Sequence, residues 1–89
     1  MAKKRRKLNK DFEKKIYSSR KNVELVLAKI YDIDDEDIQK EYMSAFNRVV
    51  YLYDELKEDY EVQGFSYKSE ELLTDYKNAF NLFESEFEI

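Results

Sequence analysis

The sequence predicts an all-α protein: a three-helix up-down-up antiparallel bundle with a flexible basic N-terminal arm. Its 89 residues include one Gly and no Pro, so the two strongest helix breakers are nearly absent. Apolar and aromatic residues recur at three- and four-residue intervals in three segments, the pattern of a helix with one buried face. The connections between these segments are short, which favours antiparallel neighbours.

The first helix is expected near residues 10–31. Its apolar positions alternate steps of four and three residues, and only Ser19 interrupts the pattern. The residues predicted to form its buried face are Phe12, Ile16, Val23, Val26, Ile30 and Ile33.

The second helix is expected near residues 35–62. Asp34 is the predicted N-cap, because its carboxylate can accept a hydrogen bond from an unpaired N–H of the first turn. Ile33 and Ile38 would then close a hydrophobic staple across the helix start. The predicted buried face consists of Tyr42, Phe46, Val49, Tyr53, Leu56 and Tyr60.

Gly64 is the predicted end of the second helix. Glycine adopts positive φ without steric penalty, and a left-handed residue at this position would place Phe65 over Tyr60 in a Schellman motif. The third helix is expected near residues 70–87, with Ser69 as its cap. Its predicted buried residues are Leu73, Tyr76, Phe80, Phe83 and Phe87.

Residues 41–47 and 75–81 are similar in sequence and lie thirty-four positions apart. The interval equals the tetratricopeptide period, but such a repeat holds two helices, and no turn signal falls between Ile38 and Val62. An internal duplication and a chance similarity between two amphipathic helices both stay open.

Charge divides the chain into two regions. Residues 1–21 carry a balance of +8 and residues 22–89 a balance of −12. Residues 1–8 have no apolar face to bury, so we expect them to form the flexible arm, with residues 9–89 as a single helical-bundle domain. Such a charge asymmetry influences which partners the protein can bind.

The basic region offers candidate contacts to phosphate groups, because clustered cations release the counterions condensed on nucleic acid. The candidates are Lys3, Lys4, Arg5, Arg6, Lys7, Lys10 and Lys14.

The acidic region offers a candidate partner-binding face, because a helical surface rich in carboxylates can occupy a basic groove on another protein. The candidates are Asp54, Glu55, Glu58, Asp59, Glu61, Glu70, Glu71 and Asp75. Tyr17, Tyr31 and Tyr51 lie off the buried faces, where exposed aromatic rings can act in binding. Alternatively, these three rings widen the buried faces of their helices.

Enzymatic chemistry has few candidate groups, since the chain contains no His and no Cys. We expect no catalytic residue, no cofactor and no metal. The acidic run at 32–37 begins like a calcium-binding loop, but Asp37 stands where that loop needs Gly and Met43 where it needs Glu. Helix capping is the simpler interpretation.

The leading hypothesis is therefore a small non-enzymatic interaction protein, an inhibitor or regulator of a basic nucleic-acid-handling protein in a bacterial or phage setting. The alternatives are a nucleic-acid-binding accessory protein that uses the basic arm, and a helical immunity or scaffolding protein. The choice between a monomer and a homodimer stays open, because heptad-spaced faces can also pair between chains. No apolar run approaches the roughly 18 residues of a membrane span, so we expect a cytoplasmic protein without membrane contact.

Overall fold

The structure, a computed structural model, describes residues 7–89 and contains three helices. They are α1 (Lys10–Tyr31), α2 (Glu36–Gln63) and α3 (Tyr67–Glu86). No strand occurs between residues 7 and 89, although an isolated β-bridge pairs Lys7 with Gly64. The prediction of an all-α chain with three helices is confirmed, and residues 1–6 of the predicted arm lie outside the described residues.

The start of α2 differs from the prediction by one residue. Its N-cap is Asp35, whose Oδ1 accepts hydrogen bonds from the backbone N–H groups of Asp37 and Ile38 at 2.9 and 3.1 Å. The predicted cap, Asp34, is therefore wrong. The reason is that the N–H of Ile33 bonds back to the carbonyl of Ile30 and prolongs the turn after α1.

The predicted hydrophobic staple is also wrong. With Asp35 as N-cap, Ile38 occupies the third helical position instead of the fourth, and it is 44% exposed. The carboxamide of Gln39 instead joins the two helices, because its Nε2 donates to the carbonyls of Ile30 and Tyr31 at the end of α1.

Gly64 ends α2 with a positive φ of 76°, as predicted, but without a Schellman motif. Its ψ of −163° is extended, so the chain does not fold back over the helix. The N–H of Gly64 donates to the carbonyl of Tyr60, whereas the N–H of Phe65 donates to the carbonyl of Lys7 at 2.5 Å. Contact with the N-terminal segment has replaced the predicted local bond.

Helix α3 begins three residues earlier than predicted. Ser66 is its N-cap, and Ser66 and Ser69 exchange side-chain to backbone hydrogen bonds in a capping box. Ser69 is fully buried, and its hydroxyl also donates to the carbonyl of Gly64 at 3.0 Å. The predicted cap is therefore the third residue of the helix.

The core follows the predicted faces closely. Its buried apolar residues are Phe12, Val23, Val26, Ile30, Phe46, Val49, Tyr53, Leu56, Tyr60, Leu73, Tyr76 and Phe83. Five residues of the predicted faces are only partly buried: Ile16, Ile33, Tyr42, Phe80 and Phe87. Ser19, which interrupts the pattern of α1, is buried at 4% exposure.

Candidate interaction surfaces

The first candidate surface is acidic and lies on α2 and α3. Seven of the eight predicted acidic residues are exposed. We call them the acidic surface: Asp54, Glu55, Glu58, Glu61, Glu70, Glu71 and Asp75. Between residues 49 and 76 the chain has eight acidic side chains and two basic ones, Lys57 and Lys68. The acidic character therefore extends from the second half of α2 into the first half of α3.

On α2 two carboxylates lie between exposed side chains with apolar surface. Tyr51, Glu55, Glu58 and Val62 follow steps of four, three and four residues, so they form one stripe along the helix. Tyr51 and Val62 are 62% and 63% exposed. The neighbouring carboxylate of Glu55 raises the pKa of the Tyr51 phenol, so the exposed ring stands beside that charge.

On α3 an aromatic ring again stands among the acids. Tyr67, Glu70, Glu71, Thr74 and Asp75 line a shallow depression on the helix surface. The ring of Tyr67 is 79% exposed. The predicted exposure of Tyr17, Tyr31 and Tyr51 is confirmed, whereas Tyr67 is an exposed ring that spacing alone did not identify.

The structure places Asp59 apart from the other predicted acids. Its side chain is only 11% exposed, and its Oδ1 lies 3.9 Å from the Nζ of Lys68 on α3. Its Oδ2 is buried and has no hydrogen-bond partner within residues 7–89. Asp59 therefore joins α2 to α3, and it is far less accessible to a partner than the acidic surface.

The predicted phosphate-contacting residues are only partly described. Lys7, Lys10 and Lys14 are exposed, while Lys3, Lys4, Arg5 and Arg6 lie outside the described residues. The backbone at Lys7 is held against the α2–α3 connection by the bond from Phe65. Two residues later, the N–H of Asn9 donates to the hydroxyl of Tyr60 at 3.0 Å. Residues 7–9, which lead into α1, thus lie beside the end of α2.

The second candidate surface is a groove between α1 and α3, which was not predicted from the sequence. We call it the seam groove, and its volume is about 430 Å³. It is lined by Lys14, Lys15, Ser18, Ser19, Asn22, Tyr76, Lys77, Phe80, Asn81 and Glu84. Of these, only Lys14 was among the predicted site residues. Within residues 7–89, none of the three lysines forms an ion pair.

The groove exists because α1 presents small polar side chains towards α3. The hydroxyl of Ser19 donates to the carbonyl of Lys15 in its own helix at 2.8 Å, so it does not reach across. Instead, the hydroxyl of Tyr76 donates to the carbonyl of Ser19 at 3.2 Å. Burial raises the pKa of Tyr76, and the nearby side-chain hydroxyl of Ser19 partly opposes that shift.

Two kinds of feature were not found within residues 7–89: a membrane-spanning helix and a cluster of metal-binding side chains. No helix within residues 7–89 combines the length and the apolar character needed to cross a membrane. In the same part of the chain, no three acidic side chains are grouped so that they could hold a metal ion. Comparisons with protein-family models, with curated proteins and with solved structures each gave no match.

Proposed function

We propose that this chain is a non-enzymatic interaction protein whose acidic surface binds a basic nucleic-acid-handling protein and inhibits or regulates it. One observation carries the proposal: seven exposed carboxylates share two adjacent helices with exposed aromatic rings. The two lysines in this region already lie within 4.0 Å of acidic side chains, Lys57 beside Glu61 and Lys68 beside Asp59.

The spacing of the carboxylates resembles that of phosphates. Asp54, Glu55, Glu58 and Glu61 lie within eight residues of α2, and the seven steps from the first to the last rise about 10 Å at ~1.5 Å per residue. This is about one negative charge per 2.6 Å, between the ~1.7 Å of duplex DNA and the ~3.4 Å of one strand. After Lys57 is subtracted, the density falls to about one per 3.5 Å, which still matches a single strand. A groove that binds a phosphate backbone would accept this helix on charge grounds.

The exposed rings supply binding affinity that charge complementarity alone does not provide. Electrostatic complementarity mainly accelerates and orients association, whereas desolvated aromatic side chains provide much of the affinity at protein interfaces. Tyr51 on α2 and Tyr67 on α3 each stand beside carboxylates of the acidic surface. They are the residues we expect to anchor the complex.

We include in the proposal that the helices form an up-down-up antiparallel bundle. This arrangement would hold the acidic surface in one fixed geometry. Contacts at both ends of α1 support it. Tyr60, near the end of α2, bonds to Asn9 and Glu13 at the start of α1. Gln39, near the start of α2, bonds to Ile30 at the end of α1.

The test immobilises the full chain and incubates it with a nuclease-treated bacterial lysate at low salt, then elutes bound proteins with duplex DNA. The site variant is Glu55→Gln/Glu58→Gln/Glu71→Gln/Asp75→Asn. The control variant, Asp32→Asn/Glu41→Gln/Glu86→Gln/Glu88→Gln, also removes four negative charges, but at exposed positions outside the acidic surface.

We expect the wild type and the control variant to retain a protein that duplex DNA displaces, and the site variant to lose it. Equal loss in both variants would contradict a specific role of the acidic surface. A protein that is retained but not displaced by DNA would contradict the nucleic-acid-handling class and favour the immunity or scaffolding alternative.

A further inference from the structure

We infer that the seam groove binds a short segment of single-stranded nucleic acid. This site is distinct from the acidic surface and goes beyond the function proposed above. It is built from charge on its rims, an aromatic ring in its wall and amide groups beside that ring. None of these elements requires residues 1–6.

The charge of the groove favours an anion. Lys14 and Lys15 on α1 and Lys77 on α3 line opposite sides, and Glu84 is the only acidic residue among the lining residues. Because the three lysines form no ion pair within residues 7–89, a phosphate would not have to displace an existing partner. Phosphate contacts of this kind give affinity without base specificity.

The wall of the groove favours a nucleotide over other anions. Phe80 is only partly buried, and its ring packs edge-on against Phe46 with 6.1 Å between the centroids. Neighbouring Tyr76 lies 5.9 Å from the Phe80 ring. A base that stacks on an aromatic side chain gains about 1–3 kcal/mol in single-strand binding proteins. A polyglutamate peptide would have phosphate-like charge but no ring to stack.

Asn22 and Asn81 add hydrogen-bonding groups from the two helices. A carboxamide carries both donors and an acceptor, and so it can pair with the edge of any base. The volume of about 430 Å³ lies within the usual range of roughly 300–1,000 Å³ for ligand sites.

A single strand fits better than a duplex because of the neighbouring charges. Glu70, Glu71 and Asp75 precede the groove along α3 and are exposed. A duplex lying over the bundle would bring two phosphate backbones close to these carboxylates, where like charges repel. A flexible strand that enters between Lys15 and Lys77 brings only one phosphate backbone near these carboxylates, so the repulsion is smaller.

The experiment measures fluorescence anisotropy of a labelled ten-nucleotide oligothymidylate with the full chain at several salt concentrations. The groove variant is Lys14→Gln/Lys15→Gln/Lys77→Gln. The control variant, Lys21→Gln/Lys40→Gln/Lys57→Gln, has the same net charge but alters lysines outside the groove. Circular dichroism confirms that each variant keeps its helical content.

We expect the groove variant to bind at least about 10-fold more weakly, with the slope of log affinity against log salt reduced by about two, since each phosphate contact to a single strand contributes about 0.7. The control variant should bind within about 3-fold of the wild type. Equal weakening of the two variants would overturn the proposal, because the interaction would then reflect overall charge. Absence of binding by the wild type at low salt would overturn it as well.

Two further comparisons test the nature of the ligand. Asn81→Asp places a carboxylate in the groove, whereas Asn78→Asp places one at an exposed position on α3 outside it, so only the first should weaken binding strongly. An abasic oligonucleotide of equal length should bind less tightly than oligothymidylate. Equal affinity for the abasic strand, or for a ten-residue polyglutamate peptide, would overturn the assignment of a nucleic-acid strand.

Discussion

The interface between α2 and α3 is filled with aromatic rings, whereas the facing surfaces of α1 and α3 carry serine, asparagine and lysine around an open groove. Five ring pairs connect the α2–α3 region, with centroids 4.8 to 6.4 Å apart. These pairs are Tyr42–Phe83, Tyr42–Phe87, Phe46–Phe80, Phe46–Phe83 and Tyr53–Tyr76. Helix α1 contributes one ring to the core, Phe12, which contacts Tyr60 and Phe65.

The two regions meet at Tyr76 and Phe80, which line the seam groove and also pack against rings of α2. Aromatic side chains bury large areas, and their edge-to-face packing adds stability beyond that area. The side chains of Ser18, Ser19 and Asn22 are small, so they bury little apolar area and leave space that a ligand can enter. A ligand in that space would lie against Tyr76 and Phe80, two of the rings that pack against α2.

The largest effect on stability is expected from a change at the centre of the aromatic interface. Phe46 is fully buried and its ring contacts Phe80 and Phe83. Phe46→Ala should lower the free energy of unfolding by about 3–5 kcal/mol, because it removes buried apolar area and leaves a cavity. Urea denaturation followed by circular dichroism measures the change.

Leu82→Ala is the control for this prediction, since Leu82 is a large apolar residue of α3 that is 57% exposed. Its free energy of unfolding should stay within about 0.5 kcal/mol of the wild type. If Phe46→Ala destabilised the protein no more than Leu82→Ala, the aromatic interface would not be the main source of stability.

A smaller effect is expected where α1 is attached to the end of α2. The hydroxyl of Tyr60 donates to Oε2 of Glu13 at 2.5 Å and accepts from the N–H of Asn9 at 3.0 Å. Tyr60→Phe should destabilise by about 1.5–3 kcal/mol, because one lost bond involves a charged group and the other leaves an N–H without its partner.

Tyr67→Phe provides the matched control, because it removes the same hydroxyl from a ring that is 79% exposed. Urea denaturation should show no change beyond about 0.5 kcal/mol. Equal stability of the two variants would show that the Tyr60 hydroxyl adds nothing to the attachment of α1, which would sharpen the contrast between ring contacts and polar contacts in this bundle.

The regular spacing of apolar residues was sufficient to predict the helices and most of the core. The bounds of α1 and the positive φ at Gly64 both follow from local sequence. The exact caps do not, because several capping residues compete within a few positions. Asp35 prevails over Asp34 and Ser66 over Ser69 through contacts with the preceding turn and with Gly64.

The two surfaces differ in how much of each the sequence reveals. Exposure of the acidic surface follows from helical periodicity within α2 and α3. Periodicity could not reveal the burial of Asp59, which depends on how α2 and α3 pack together beside Lys68. The seam groove combines side chains as distant in sequence as Lys14 and Lys77. Its only local signal was Ser19, a polar residue at a core position.

The pH dependence of stability offers a test of the contact across the seam itself. Burial raises the pKa of Tyr76 above its ordinary value of 10.0, so the folded state retains the phenolic proton at a pH where the unfolded chain has begun to lose it. The free energy of unfolding should therefore be unaffected by this group below pH 10 and fall as the pH rises above it. The pKa of Tyr53 is also raised by burial, and Arg20 partly opposes that shift.

Tyr76→Phe separates this contribution from that of other groups that titrate at high pH. At pH 7 the variant should lose about 1 kcal/mol, since it removes one neutral hydrogen bond to the carbonyl of Ser19. Above pH 10 its stability should decline less steeply than that of the wild type in urea denaturation. Parallel pH curves would mean that the Tyr76 hydroxyl is in contact with water, so the groove would reach deeper than Ser19. A shallower curve would place the closed floor of the groove at the bond between Tyr76 and Ser19, with the ring packing of α2 and α3 sealed beneath it.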